Sequence, residues 1–203
     1  MEKKTHVMCA NALSLYIMKP DSISSLLITT TFATLGGIIA DVDLKDSTTD
    51  KLFDRLMTSL VTVVVMSVFI NYFFSMDLYS KLKEYSEILN YLISVSLFVI
   101  MAYLGSKSSH RSFTHSIIGC IVYSGIIAYG FKENVLIPFI VSYISHIVLD
   151  LLNIKGVALF YPSKYRLSLK LCESDGKVNK FLFVLFTFCY IVLLFFIGFN
   201  INI

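Results

Sequence analysis

The chain has 203 residues, 56% of them hydrophobic and only 15% charged, with a formal net charge of +3. Soluble domains carry about 25% charged residues, and here apolar runs recur along the whole length. A water-soluble globular core is therefore excluded in favour of an all-α, polytopic transmembrane bundle. The small, scattered positive charge gives no basis for nucleic-acid binding. There is room for six or seven short spans in one integral-membrane domain over 1–203. With no Trp, the interfacial aromatics fall to 12 Tyr and 17 Phe.

The first residues, Met1-Glu2-Lys3-Lys4-Thr5-His6 followed by an apolar run to Met18, superficially resemble a signal peptide. Asn11 and Ser14 interrupt that run and another long one follows Pro20-Asp21, so we expect a retained first helix over 7–18. It is short of the roughly 20 residues of a full crossing, which leaves a tilted span or one partly lined by protein. Segment two, 23–40, has Gly36 and Gly37 to admit a neighbouring helix closely and ends in Asp41-Val42-Asp43. A polar loop over 44–57 follows, with Asp46, Asp50 and Asp54 as solvated charges. Segments three and four cover 58–76 and 88–105, joined by a charged loop over 77–87.

Segment five begins at His110-Arg111-Ser112-Phe113-Thr114-His115-Ser116 and ends near Phe131. Segment six, 135–152, carries His146 and Asp150 near its end. A long connection over 153–180 contains Lys164-Tyr165-Arg166-Leu167-Ser168-Leu169-Lys170, whose alternation suggests a short strand or an extended membrane-surface segment. Segment seven, 181–199, is the cleanest span. Cys9, Cys120, Cys172 and Cys189 form no CxxC pair and read as buried thiols.

If every segment crosses once, the start of segment one, the end of two, the start of five and the end of six share one membrane face. His6, Asp41, Asp43, His110, His115, His146 and Asp150 then lie together. Of the 17 lysines and arginines, only Lys19, Lys81, Lys83 and Lys132 fall on the opposite face. The positive-inside bias therefore puts the polar cluster at the cytoplasmic face.

Imidazoles and carboxylates concentrated at one membrane end point to a built site. His146 and Asp150, at i and i+4, share a helix face with Cβ atoms about 6 Å apart, close enough to chelate one ion; a structural Asp–His hydrogen bond fits them as well. Asp41 and Asp43 can point to one ion or bridge two, or form an acidic turn in water. His110 in a loop and His115 in a first helical turn can face a common centre. Arg111 stands beside them at a helix amino terminus where anions are favoured, with Thr114 or Ser112 to cap that helix. His6 is either a further ligand or an interfacial histidine. The mixed set suits Zn²⁺ first, with Mn²⁺ or Fe²⁺ compatible, and seven groups allow one ion with supporting residues or two ions.

Asp41-Val42-Asp43, then His110-Arg111-Ser112-Phe113-Thr114-His115-Ser116, then Ser145-His146 to Asp150, together with His6, resemble the LexA-regulated, YdjM-type family of membrane-bound metal-dependent hydrolases. The likeness covers roughly residues 5–171 and includes Phe160-Tyr161-Pro162 and Arg166. Ala40 stands where Pro is usual, Ser112 where Gly is, Asn153 where Thr is common, and Leu44 where a His often adds a further ligand. The resemblance implies a metal-dependent hydrolase. By analogy with zinc-dependent phospholipases C, whose ligand order is similar, it would cleave a phosphoester or other ester of a membrane lipid or lipid-derived substrate. Water activated by one or two divalent ions would be the nucleophile, Asp43 or Asp41 the base, and Arg111, Lys164 or Arg166 the partner of the phosphate. Two other classes stay open: an ion- or proton-coupled transporter, and a metal-stapled membrane protein without turnover. The oligomeric state leaves no mark on the sequence.

Overall fold

The computed structural model describes residues 1–44, 47–73 and 86–201. Among them are seven α-helices: α1 (Lys3–Met18), α2 (Ile23–Ile39), α3 (Ser47–Phe73), α4 (Ser86–Ser106), α5 (Ile117–Gly130), α6 (Glu133–Leu151) and α7 (Lys177–Asn200). Two 3₁₀ turns, Ala40–Asp43 and Phe113–His115, follow α2 and precede α5. The expected helical bundle is therefore the architecture. Among the described residues, four stretches are long and apolar enough to cross a membrane: Ile23–Asp43, Ser86–Ser106, Glu133–Leu151 and Lys177–Phe199. α5 is equally apolar but shorter. α7 exposes Phe181, Val184, Phe188, Ile191 and Phe195 along its length, a surface that only lipid or another apolar partner can cover.

Several helix boundaries differ from the sequence reading. α1 starts at Lys3, not residue 7, which puts His6 inside a helical turn. It stops where Lys19 turns left-handed at φ 44°, donating its N–H to the Leu15 carbonyl just before Pro20. α3 starts at Ser47, so most of the supposed polar loop is helical; Leu52, Leu56 and Leu60 continue an apolar spacing that polar neighbours do not interrupt. Asp54 is exposed, as expected of a solvated charge. Lys45, Asp46 and most of the 77–87 loop, with Lys81 and Lys83, lie outside the described residues, as do the side chains of Asp50 and Lys51. The connection after α6 forms no strand among the described residues. It is an extended loop pinned by isolated bridges, Val157 with Leu167 and Asn153 with Cys172.

α1, α2 and α6 pack as the centre of the bundle, and the small residues decide how closely. A Cβ on Gly36 would overlap the Phe139 carbonyl, and one on Gly37 would lie 2.9 Å from the Ala10 Cβ. With the backbones so near, polar side chains bridge the helices, as they do where lipid supplies no hydrophobic drive. Asn11 donates to Thr34 at 2.9 Å, and Ser14 and Ser142 share a hydrogen bond at 3.0 Å. Next to this trio, Tyr123, Phe139 and Tyr143 form the fully buried aromatic core among α2, α4, α5 and α6. α7 docks on α1 through Thr5, whose hydroxyl donates to Asn179 at 2.9 Å. All four cysteines are free; Cys9 and Cys172 are buried, Cys120 and Cys189 half-buried.

Candidate metal centre

Four chain segments deliver polar groups to one end of this bundle. α2 tightens into the turn Ala40–Asp43. In a 3₁₀ turn, residues two apart point about 120° from each other, so the two carboxylates of Asp41-Val42-Asp43 diverge. Asp41 faces the helices α1 and α6. Asp43 faces the segment before α5, where its Oδ2 accepts the Arg111 N–H at 2.9 Å and the Thr114 hydroxyl at 2.7 Å, and its Oδ1 meets His110 Nδ1 at 2.7 Å. Both are buried, at 9% and 2% exposure, so the reading of an acidic turn in water does not hold.

The segment carrying His115 is held on all sides. Ser116, not Thr114 or Ser112, caps α5, accepting the Gly119 N–H at 3.0 Å. The extra 3₁₀ turn moves the helix start past Thr114 and frees that hydroxyl for Asp43. Tyr143 from α6 donates to the Thr114 carbonyl. Arg111 sits at φ 61°, a left-handed conformation costing an L-residue roughly 1–2 kcal/mol. The bonds of its N–H to Asp43 and of its guanidinium to Asp150 Oδ1 at 3.3 Å hold it there.

Asp41, His115, His146 and Asp150 present one ligand atom each, all within 4.8 Å of one another. His115 Nε2 lies 3.3 Å from Asp150 Oδ2 and 3.6 Å from Asp41 Oδ1. His146 Nε2 lies 3.7 Å from Asp41 Oδ1 and 3.9 Å from Asp150 Oδ2. N–H···O hydrogen bonds fall between about 2.7 and 3.2 Å. Ligands tetrahedrally disposed about 2.05 Å from an ion are about 3.4 Å apart. The separations match the second spacing better than the first, and neither Nε2 has a hydrogen-bond partner although both are buried. A private His146–Asp150 hydrogen bond is excluded at 3.9 Å.

The outer nitrogens explain why these lone pairs face inward. His146 Nδ1 is 2.7 Å from the Gly37 carbonyl. A carbonyl only accepts, so Nδ1 carries the proton and Nε2 is left as a ligand. His115 Nδ1 lies 3.2 Å from Thr114 Oγ1, whose own proton is given to Asp43, and 3.4 Å from Asp43 Oδ2. Two acceptors again place the proton on Nδ1. Nothing in the sequence marks the Gly37 carbonyl as an orienting group, and Thr114 reads there as a helix cap.

The remaining candidate residues are placed as follows. His6 stacks on His146 with centroids 3.7 Å apart, its Nε2 3.4 Å from Asp150 Oδ1 and both its nitrogens without hydrogen-bond partners. It stands at the edge of the cage. Asp43 and His110 pair with each other one layer out, and the His110 side chain is 40% exposed. Asp150 Oδ1 also meets the α-amine of Met1 at 2.6 Å, leaving Oδ2 to the two imidazoles. Arg166, exposed, donates to the His110 carbonyl at 3.0 Å. Lys164 is exposed on the same loop.

Two imidazoles and two carboxylates form the mixed donor set of Zn²⁺, Mn²⁺ or Fe²⁺ sites. Three buried carboxylates this close are costly unless cations neutralise them, and a divalent ion would do so from within. The residues present thus fit a metal.

Apolar helices of crossing length, closed around a buried group able to bind a metal at one end, define a helical membrane protein with a candidate metal centre. The chain belongs to the YdjM inner membrane protein family, whose family model matches residues 1–201. That match extends through α7, beyond the stretch that the three motif blocks covered. Searches of curated proteins and of solved structures each found no match.

Proposed function

We propose that the protein is a membrane-embedded hydrolase that holds one divalent metal ion, Zn²⁺ by preference, and cleaves a phosphoester of a lipid or lipid-linked substrate. The observation that carries this reading is the pair of buried, unpartnered Nε2 atoms of His115 and His146 facing Asp41 and Asp150 at ligand–ligand spacing. Bound there, a metal ion supplies Lewis acidity and lowers the pKa of a coordinated water. His115, His146, Asp41 and Asp150 would hold the ion, and His6 stands at the edge of the same group.

Asp41 belongs to the cage, and both oxygens of Asp43 are already engaged. The proton acceptor is therefore assigned to His110, half-exposed and fixed by Asp43 through Nδ1 so that Nε2 is free. Asp43 acts as a positioning residue. Arg111 is buried, yet its Nε and Nη1 have no partner; an N–H group left without an acceptor in this way suits one oxygen of a phosphate. Arg166 and Lys164 add positive charge at the entrance. A transporter reading gains less support, because the acids gather at one end instead of along the spans.

His110→Ala is expected to lower kcat about 100- to 1,000-fold while the bound metal stays at the wild-type level. Retained metal with unchanged turnover would remove His110 from the chemistry. Absence of turnover in the wild-type protein on phospholipids and soluble phosphoesters alike would favour the metal-stapled alternative.

The excess of Lys and Arg around this end supports a cytoplasmic-facing site. Ser109→Cys should then react with an impermeant maleimide only after the membrane is opened. Labelling in intact cells would reverse the orientation.

A further inference from the structure

A groove of about 420 Å³ opens beside the cage between α2, α3 and α4. Its walls are Leu35 and Ile38 of α2 and Phe98 and Val99 of α4, and its polar end carries Asp41 and Lys3. Asp41 belongs at once to the groove wall and to the group of four ligands. The groove thus borders the candidate metal centre at Asp41. Leu35 precedes Asp41 by six positions, about 9 Å of helix rise, so the apolar walls run from the polar end back along two helices of crossing length. A water-soluble phosphoester needs no such surface, and an apolar wall of this kind facing water is disfavoured.

Resting on the hydrolase reading for its head-group end, we propose that this groove holds one hydrocarbon chain of an anionic membrane phospholipid, its head group drawn to the polar end beside Lys3 and towards the candidate metal centre. The charge pattern favours that direction of entry. Lys3 is exposed at the mouth, where an ammonium attracts the head group of a lipid whose tail lies against Leu35, Phe98 and Val99. The substrate class of the site is then an acylated phosphoester taken laterally from the bilayer.

The test uses phosphatidylglycerol bearing a diazirine at the end of one acyl chain, in nanodiscs with the full-length protein. Cross-links to Leu35, Ile38, Phe98 and Val99 are expected to exceed those on lipid-facing Phe188 and Phe195 of α7, and to fall about tenfold when Val99→Trp fills the groove. Ile38→Trp, at an exposed wall position, is the second variant should Val99→Trp not fold. Labelling spread evenly over α7 and the groove, or unchanged by either substitution, would overturn the proposal. Turnover of the same lipid and of bis(p-nitrophenyl) phosphate is followed in parallel. Groove-selective labelling without turnover of either compound leaves the lipid site standing and removes the hydrolase. Turnover with indiscriminate labelling does the reverse. With both in place, the groove variants are expected to lose lipid turnover about tenfold and keep the soluble reaction within about twofold.

Discussion

Alanine at His115, His146 or Asp150 is expected to reduce bound metal from about one equivalent to below about a tenth. Each residue supplies one of four mutually close ligand atoms among the described residues, and each loss leaves the others buried around a gap. Asp43→Asn should behave differently. Its carboxylate contacts His115 Nδ1 and Thr114 from outside the cage, and such supporting partners typically change metal affinity about 10- to 100-fold. Metal content by elemental analysis, measured across a range of free zinc, separates the two classes. Equal loss in all four variants would mean that Asp43 is itself a ligand. No loss in any of them would remove the cage.

Gly36→Leu is expected to have the largest effect on stability, about 3 kcal/mol or more. A Cβ there would overlap the Phe139 carbonyl, with the Ser142 Cβ at 3.0 Å and the Phe139 carbonyl carbon at 3.2 Å. The nearest atoms are backbone, so the neighbours cannot swing aside. α2 and α6 would have to part, taking the Gly37 carbonyl away from His146 and the metal site with it. Gly125, inside α5 where an added Cβ meets nothing within 4 Å, is the control; Gly125→Ala should not destabilise, and helix propensity favours it by up to about 1 kcal/mol. Thermal loss of monodisperse protein in detergent reads both. A Gly36→Leu midpoint matching that of Gly125→Ala would contradict the close packing.

Much of this arrangement was legible because helices have ends. Alternation of apolar segments puts the start of α1, the end of α2, the start of α5 and the end of α6 at one place, and the structure brings His6, Asp41, His115, His146 and Asp150 together there. Helical spacing likewise put His146 and Asp150 on one face. Periodicity is silent on the turns. Whether Asp41-Val42-Asp43 would chelate with both carboxylates depended on its being a 3₁₀ turn, which sends Asp43 away to His110 and Thr114. His110 follows it out of the cage for the same reason. Arg111 at positive φ and Ser116 as the true cap of α5 escaped for want of a local signal: neither Arg nor a run of three hydroxyl residues says which one ends the turn. Of the two forms open to the run after Lys164, a short strand or an extended segment, the structure has the extended one, because among the described residues only Leu167 finds a bridging partner within it.

Elemental analysis of the wild-type protein, extracted in detergent without chelators and dialysed against metal-free buffer, tests the central claim most directly. About one equivalent of Zn, Mn or Fe per chain is the predicted result, with X-ray absorption showing a first shell of nitrogen and oxygen at about 2.0–2.1 Å. Less than about a tenth of an equivalent, unchanged after incubation with each of the three ions, would contradict it.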